Sequence, residues 1–236
     1  MRTPQVFRKR TTSEDSFVVC ISDLMAGLLS IFILTLIYYI ISFSQATDQL
    51  TENDKQREII LLQMQKELKN RGIEVNIDID HGVLRLPEGI LFDVGQAEIK
   101  EKGIQVLGII GPVLLSVLDN NKGVETIFVE GHTDSSPIKT SQFPSNWELS
   151  AQRAINTWNA LVSSEAKLAK LQNAKKQPLF SCSGYAETRP VKVEDNEKAK
   201  QENRRIDFRF SMTPPQKSKA SSILAAISKV SDRGKP

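Results

Sequence analysis

Residues 17–43 form an almost unbroken apolar run, and no other feature of the 236-residue chain restricts its fold as much. As an α-helix the run would measure about 40 Å, against a bilayer hydrocarbon core about 30 Å thick, so it spans with some tilt. It is too long for the apolar core of a cleaved signal peptide and predicts a retained single-pass anchor. Arg2, Arg8, Lys9 and Arg10 precede it, opposed by Glu14 and Asp15. That basic excess predicts a cytoplasmic N-terminus over residues 1–16, with the rest of the chain on the periplasmic side of a bacterial inner membrane.

Asp23 interrupts the run about two turns from its cytoplasmic start. A carboxylate at the centre of such a helix costs about 2.5–3.5 kcal/mol on insertion scales, and less near an interface. Phe17, Val18, Val19, Cys20 and Ile21 precede it without a charge, so the apolar run has already begun. Residues three or four apart share a helix face, and on the face of Asp23 lie Ser16, Cys20, Ala26, Gly27 and Ser30. Small residues let other helices approach closely, which leaves Ile31, Phe32, Leu36 and Tyr39 to lipid or looser packing. The acid is therefore expected at a helix–helix interface. There it can alternate between neutral and ionised states as protons arrive from one side and leave to the other, the chemistry of a proton relay. One helix cannot enclose an ion path, so a partner membrane protein is implied. A passive tether, with Asp23 only holding a helix contact, is the reading of another class.

Residues 44–72 have the composition of a soluble helical linker. Leu61, Met64 and Leu68 fall at coiled-coil spacing, but extending the heptad backwards puts Arg57 and Asp54 at core positions. A short, weak dimer seam and a solvated spacer helix both remain open. Cys20 and Cys182 lie far apart, one in the apolar run, and offer neither a disulfide nor a metal or redox motif. A net charge of +3 argues against nucleic acid as a partner.

Beyond Gly72 the pattern changes. Ile73, Val75, Ile77 and Ile79 alternate with polar residues as in a half-buried strand, and residues 83–86 continue as strand after His81-Gly82. Residues 99–118 carry helical spacing through Ile104, Leu107, Ile110, Leu114 and Leu118, with Gly111-Pro112 a place to bend. Strands are expected at 126–130, 179–183 and across Ile206, Phe208 and Phe210, and a helix at 149–161. This order of elements predicts an α/β (α+β) fold, a two-layer sandwich over residues 73–211. A basic tail, residues 212–236, follows.

Polar residues cluster where these elements end. Gly131-His132-Thr133-Asp134 follows a strand, Asn146 opens a helix that carries Arg153, and Asn203-Arg204-Arg205 precedes the last strand. An acid beside arginines suits a zwitterion, with Asp134 taking an ammonium and Arg153 a carboxylate bidentately. The same residues equally make a salt-bridge network, with Asn146 as a helix N-cap.

The runs Leu91-Phe92-Asp93, Gly131-His132-Thr133-Asp134, Asn146 with Leu149-Ser150 and Arg153-Ala154, Gly184-Tyr185 with Pro190, and Asn203-Arg204-Arg205 resemble, in order, the motifs of OmpA-like peptidoglycan-binding domains. The resemblance implies binding of the diaminopimelate of peptidoglycan stem peptides. Asp134 would hold its amine and Arg153 its carboxylate, with Asn146, Leu149 and Arg204 alongside and His132 structural. The long segment from Asp134 to Ser150, and a membrane helix with an early acid, resemble the MotB branch. That implies an ion-driven stator subunit in which Asp23 carries the ion. It further implies a homodimer within a ring of MotA- or ZorA-like multi-span subunits, in the family's five-to-two ratio. The usual aromatic-Ala-Asp triplet is Ile21-Ser22-Asp23 here, which leaves proton and sodium both open as the transported ion. The compact linker is more similar to ZorB, the MotB-like subunit of the Zorya anti-phage defence system, than to flagellar MotB. No nucleophile–base pair or metal spacing lies near Asp134, so neither an enzyme nor a bound cofactor is expected.

Overall fold

The computed structural model describes residues 13–121 and 123–214. The N-terminal basic cluster and the tail from Pro215 onward lie outside the described residues. The chain divides into two units, one holding the residues up to Gln49 and the other spanning Leu50–Pro215. Helix α1, Ser13–Asn70, contributes to both.

In the first unit the apolar side chains of residues 17–43 all point outward and are exposed. The helix carries its own polar groups without solvent. The hydroxyls of Ser22, Ser30 and Thr35 donate back to the carbonyls of Val18, Ala26 and Ile31 at 2.7–2.8 Å. Such back-bonding satisfies a hydroxyl that a bilayer would otherwise leave unpaired. Asp23 lies exposed on this surface, and a Cβ built on Gly27 would meet nothing within 4 Å.

In the second unit Leu61, Met64 and Leu68, with Ile60, are at most 1% exposed and belong to the main hydrophobic core. The spacing that sequence allows as a dimer seam is thus the face that this helix turns inward onto its own domain. The helix ends in a Schellman cap. Gly72, at φ 80°, donates to the Lys69 carbonyl, and Ile73 donates to Leu68. Glycine is favoured there because a Cβ disfavours positive φ. This cap displaces the first strand. Ile73 and Val75 are buried, but as cap and connector, and β1 is only Asn76–Asp78.

The remaining elements are β2 Val83–Pro87, α2 Glu88–Leu91, α3 Glu101–Asn120, β3 Val124–His132, α4 Asn146–Ser164, a 3-10 turn Ala166–Lys170, β4 Phe180–Gly184, α5 Glu197–Asn203 and β5 Arg205–Met212. They make a two-layer α/β structure on one sheet of order β1-β2-β5-β3-β4, in which only β3 and β4 run parallel. α3 continues through Pro112 and buries Leu107, Ile110, Leu114 and Leu118, whereas Ile104 is exposed.

Two glycines set how closely α4 lies on the sheet. A Cβ on Gly131 would stand 2.0 Å from the Ser150 carbonyl oxygen, and one on Gly184 2.5 Å from the Ala151 nitrogen. The Ser150 hydroxyl accepts from Ala186 N–H at 3.0 Å, tying this turn of α4 to the segment after β4. The first turns of α4 are thereby pressed against the ends of β3 and β4.

Candidate ligand cleft

Asp134, Asn146, Leu149, Arg153 and Arg204 come from three separate stretches of sequence and line one cavity of about 250 Å³. Asp134 lies just past β3. Its Oδ1 accepts from the Ser136 N–H at 2.8 Å, and its Oδ2 pairs with Arg204 Nη1. Arg204 is the residue that joins α5 to β5 rather than a strand residue.

The capping of α4 explains why Asn146 faces the cleft. Ser145, not Asn146, is the N-cap. Its Oγ accepts from Trp147 N–H at 3.2 Å and donates to Glu148 at 2.5 Å. The Asn146 side chain is left to bridge the Ser136 carbonyl and the Glu187 carboxylate, both at 3.1 Å. Leu149 makes an apolar wall with Ala97, Phe143 and Ile138.

Arg153 is 2% exposed. Its Nε donates to the Gln96 carbonyl at 2.8 Å, and its Nη2 to Glu88 Oε1 at 2.6 Å and to the Asp93 carbonyl at 3.4 Å. The bidentate edge expected to face a ligand carboxylate is therefore taken up within the protein, chiefly by Glu88. Arg204 Nε stands 3.7 Å from Glu88 Oε2. The result is an alternating row, Arg153, Glu88, Arg204, Asp134.

Burial pushes the Glu88 carboxyl above its usual range, and Arg153 and Arg204 act against that rise. Burial likewise lowers the Arg153 guanidinium, with Glu88 opposing. His132 is not among the lining residues. It is 2% exposed, stacks on Tyr185 at 5.4 Å, and burial brings its pKa to about 3, so it is neutral at ordinary pH.

Residues 91–204 match the OmpA family. This part of the chain is an OmpA-like domain. The chain is 40% identical over 126 residues to the uncharacterized protein YtxE of Bacillus subtilis, covering 53% of this chain and 46% of that one. It is 30% identical over 159 residues to Motility protein B of the same organism, covering 66% and 56%. It is 24% identical over 214 residues to Zorya protein ZorB of Escherichia coli O139:H28, covering 86% and 83%. The chain thus spans about half the length of the first of these relatives, and it is MotB-like with similarity to ZorB. A MotB-like protein from Desulfovibrio vulgaris shares the fold, with a TM-score of 0.56 at 22% identity, covering 69% of this chain and 98% of that one.

Sequence reading of the OmpA-like domain misses Glu88, at the start of α2 where β2 ends. Its backbone N–H donates to the Arg204 carbonyl at 3.0 Å, which sets the two residues side by side. The available signal is a single acid between the apolar stretches Leu84-Arg85-Leu86-Pro87 and Ile90-Leu91-Phe92. An acid so placed is either solvated or paired, and sequence does not say with what.

Proposed function

We propose that the chain is the MotB/ZorB-like subunit of an ion-driven membrane motor, anchored by its OmpA-like domain to peptidoglycan. The observation that carries this reading is the convergence of Asp134, Asn146, Leu149, Arg153 and Arg204 on one cavity of that domain, in a chain that also bears Asp23 within an exposed apolar helix. The helix spans the inner membrane with its N-terminus cytoplasmic and the domain periplasmic. Two copies sit within a ring of MotA- or ZorA-like subunits, and Asp23 binds and releases a proton or sodium ion. The domain holds the diaminopimelate of a stem peptide, so that torque acts against a fixed wall.

Two findings bear on which motor this is. The match to Zorya protein ZorB extends over 83% of that protein, whereas the match to Motility protein B covers 56%. The longer shared stretch supports the defence role over swimming.

Muropeptide pulldown with the full chain tests the anchor: Asp134→Ala is expected to abolish retention, and undiminished retention would refute the site. Ion flux into vesicles holding the chain and its partner tests the motor. Asp23→Asn is expected to stop it, whereas a passive tether would show no flux with either version.

A further inference from the structure

We infer that Glu88 is a specificity-determining residue of the cleft, the group that makes it accept a zwitterionic amino-acid centre and refuse a bare carboxylate. This rests on the wall-binding reading above. The charged side chains lining the cavity are Glu88, Asp134, Arg153 and Arg204. Two carboxylates face two guanidiniums, so the ionised cleft is neutral and offers no net attraction to an anion.

Glu88 has a specific position in that balance. Its Oε1 takes the Nη2 of Arg153, while its Oε2 is buried without a hydrogen-bond partner among the described residues and belongs to a side chain lining the cavity. The neighbouring Thr133 Oγ1, on another lining residue, is in the same condition. A buried oxygen left without a donor is costly, and an ammonium or hydroxyl donor entering the cavity would relieve that cost. A ligand carboxylate drawn to Arg153 or Arg204 must instead come beside Glu88. Like charges brought together in a desolvated site oppose binding unless the ligand brings its own cation. A zwitterion does so, with its ammonium between Asp134 and Glu88 Oε2, which Arg204 faces at 3.7 Å without a hydrogen bond. A simple dicarboxylate does not.

The groups facing Glu88 are Arg153 from α4, Arg204 from the α5–β5 junction and Asp134 from the segment after β3. Burial raises the Glu88 carboxyl, so a falling pH protonates it ahead of an exposed carboxylate and moves the cleft in the same direction as Glu88→Gln.

The test is calorimetric titration of the full chain in detergent with diaminopimelate and with pimelate, the same carbon chain without ammonium groups. Wild type is expected to prefer diaminopimelate. In Glu88→Gln the preference should fall by about tenfold, through gain of pimelate binding. A folded Glu88→Gln with the wild-type preference overturns the inference. If that variant does not fold, the wild-type preference is followed as pH is lowered from neutral, where it should decline as Glu88 takes up its proton ahead of an exposed carboxylate; a flat profile overturns the inference. Wild type that binds neither compound nor muropeptides removes the wall-binding reading, and the inference with it. Binding with an unchanged preference removes the inference alone.

Discussion

Arg153 and Glu88 are joined at 2.6 Å with both side chains about 5% exposed or less, so the deepest charge of the cleft is already neutralised by the protein itself. Removing one member of such a pair leaves the other buried and unmatched, at a cost of about 3–5 kcal/mol. Arg153→Ala should lower the melting temperature of the full chain accordingly. Glu88→Gln/Arg153→Met should recover much of the loss, because neither charge is then stranded. Thermal unfolding of the two variants checks both.

The raised Glu88 carboxyl also gives a stability–pH prediction. A carboxyl whose folded pKa lies above its unfolded value binds its proton more tightly in the fold. Its stabilising contribution is full below about pH 4.5, the ordinary value, and is lost as pH rises through the folded value. The difference in unfolding free energy between wild type and Glu88→Gln should therefore shift in favour of Glu88→Gln as pH rises through that window. Urea titrations at several pH values measure it.

His132 acts in the opposite direction. Its pKa falls from 6.5 to about 3 on burial. A neutral buried imidazole must be charged on unfolding in acid, so stability is present above pH 6.5 and is lost as pH falls towards 3. The loss approaches about 1.4 kcal/mol per pH unit well below the unfolded pKa. His132→Phe should flatten that slope between pH 6 and pH 4 relative to wild type, read by urea unfolding.

Gly131→Ala places a methyl 2.0 Å from the Ser150 carbonyl oxygen. Backbone cannot yield as a flexible side chain does, so α4 must move off the sheet at a cost of about 1–3 kcal/mol or more. Because α4 carries Asn146, Leu149 and Arg153, muropeptide retention should fall together with melting temperature.

Leu61→Ala and Leu68→Ala separate a core role from a dimer seam. Both residues are fully buried in the domain core, and each truncation should cost about 2–5 kcal/mol. The measurement is unfolding at several protein concentrations, and the loss should not depend on concentration.

Strand and helix order was legible because apolar periodicity of two and of 3.6 reports which side of an element is buried. It could not report what that side is buried against. Leu61, Met64 and Leu68 have the same spacing whether the partner is a second copy or the domain beneath them. Ile73 and Val75 alternate as a strand would, yet a glycine cap one residue earlier spends them on ending a helix. Asn146 reads as a cap because its chemistry allows it, while Ser145 caps instead and turns Asn146 inward.

By itself the sequence determined the apolar helix with its acid at position 23 and the order of elements, since each is a matter of local composition and spacing, whereas Asp134, Asn146, Leu149, Arg153 and Arg204 were singled out by motifs that resemble those of OmpA-like domains. Only the tertiary structure decided that Glu88 stands among them. Its place depends on the antiparallel pairing of Pro87 with Arg205 and on the approach of α4 across Gly131 and Gly184. Electrostatic partners are chosen by distance in space, and distance between residues 88, 134, 153 and 204 exists only once the sheet has formed.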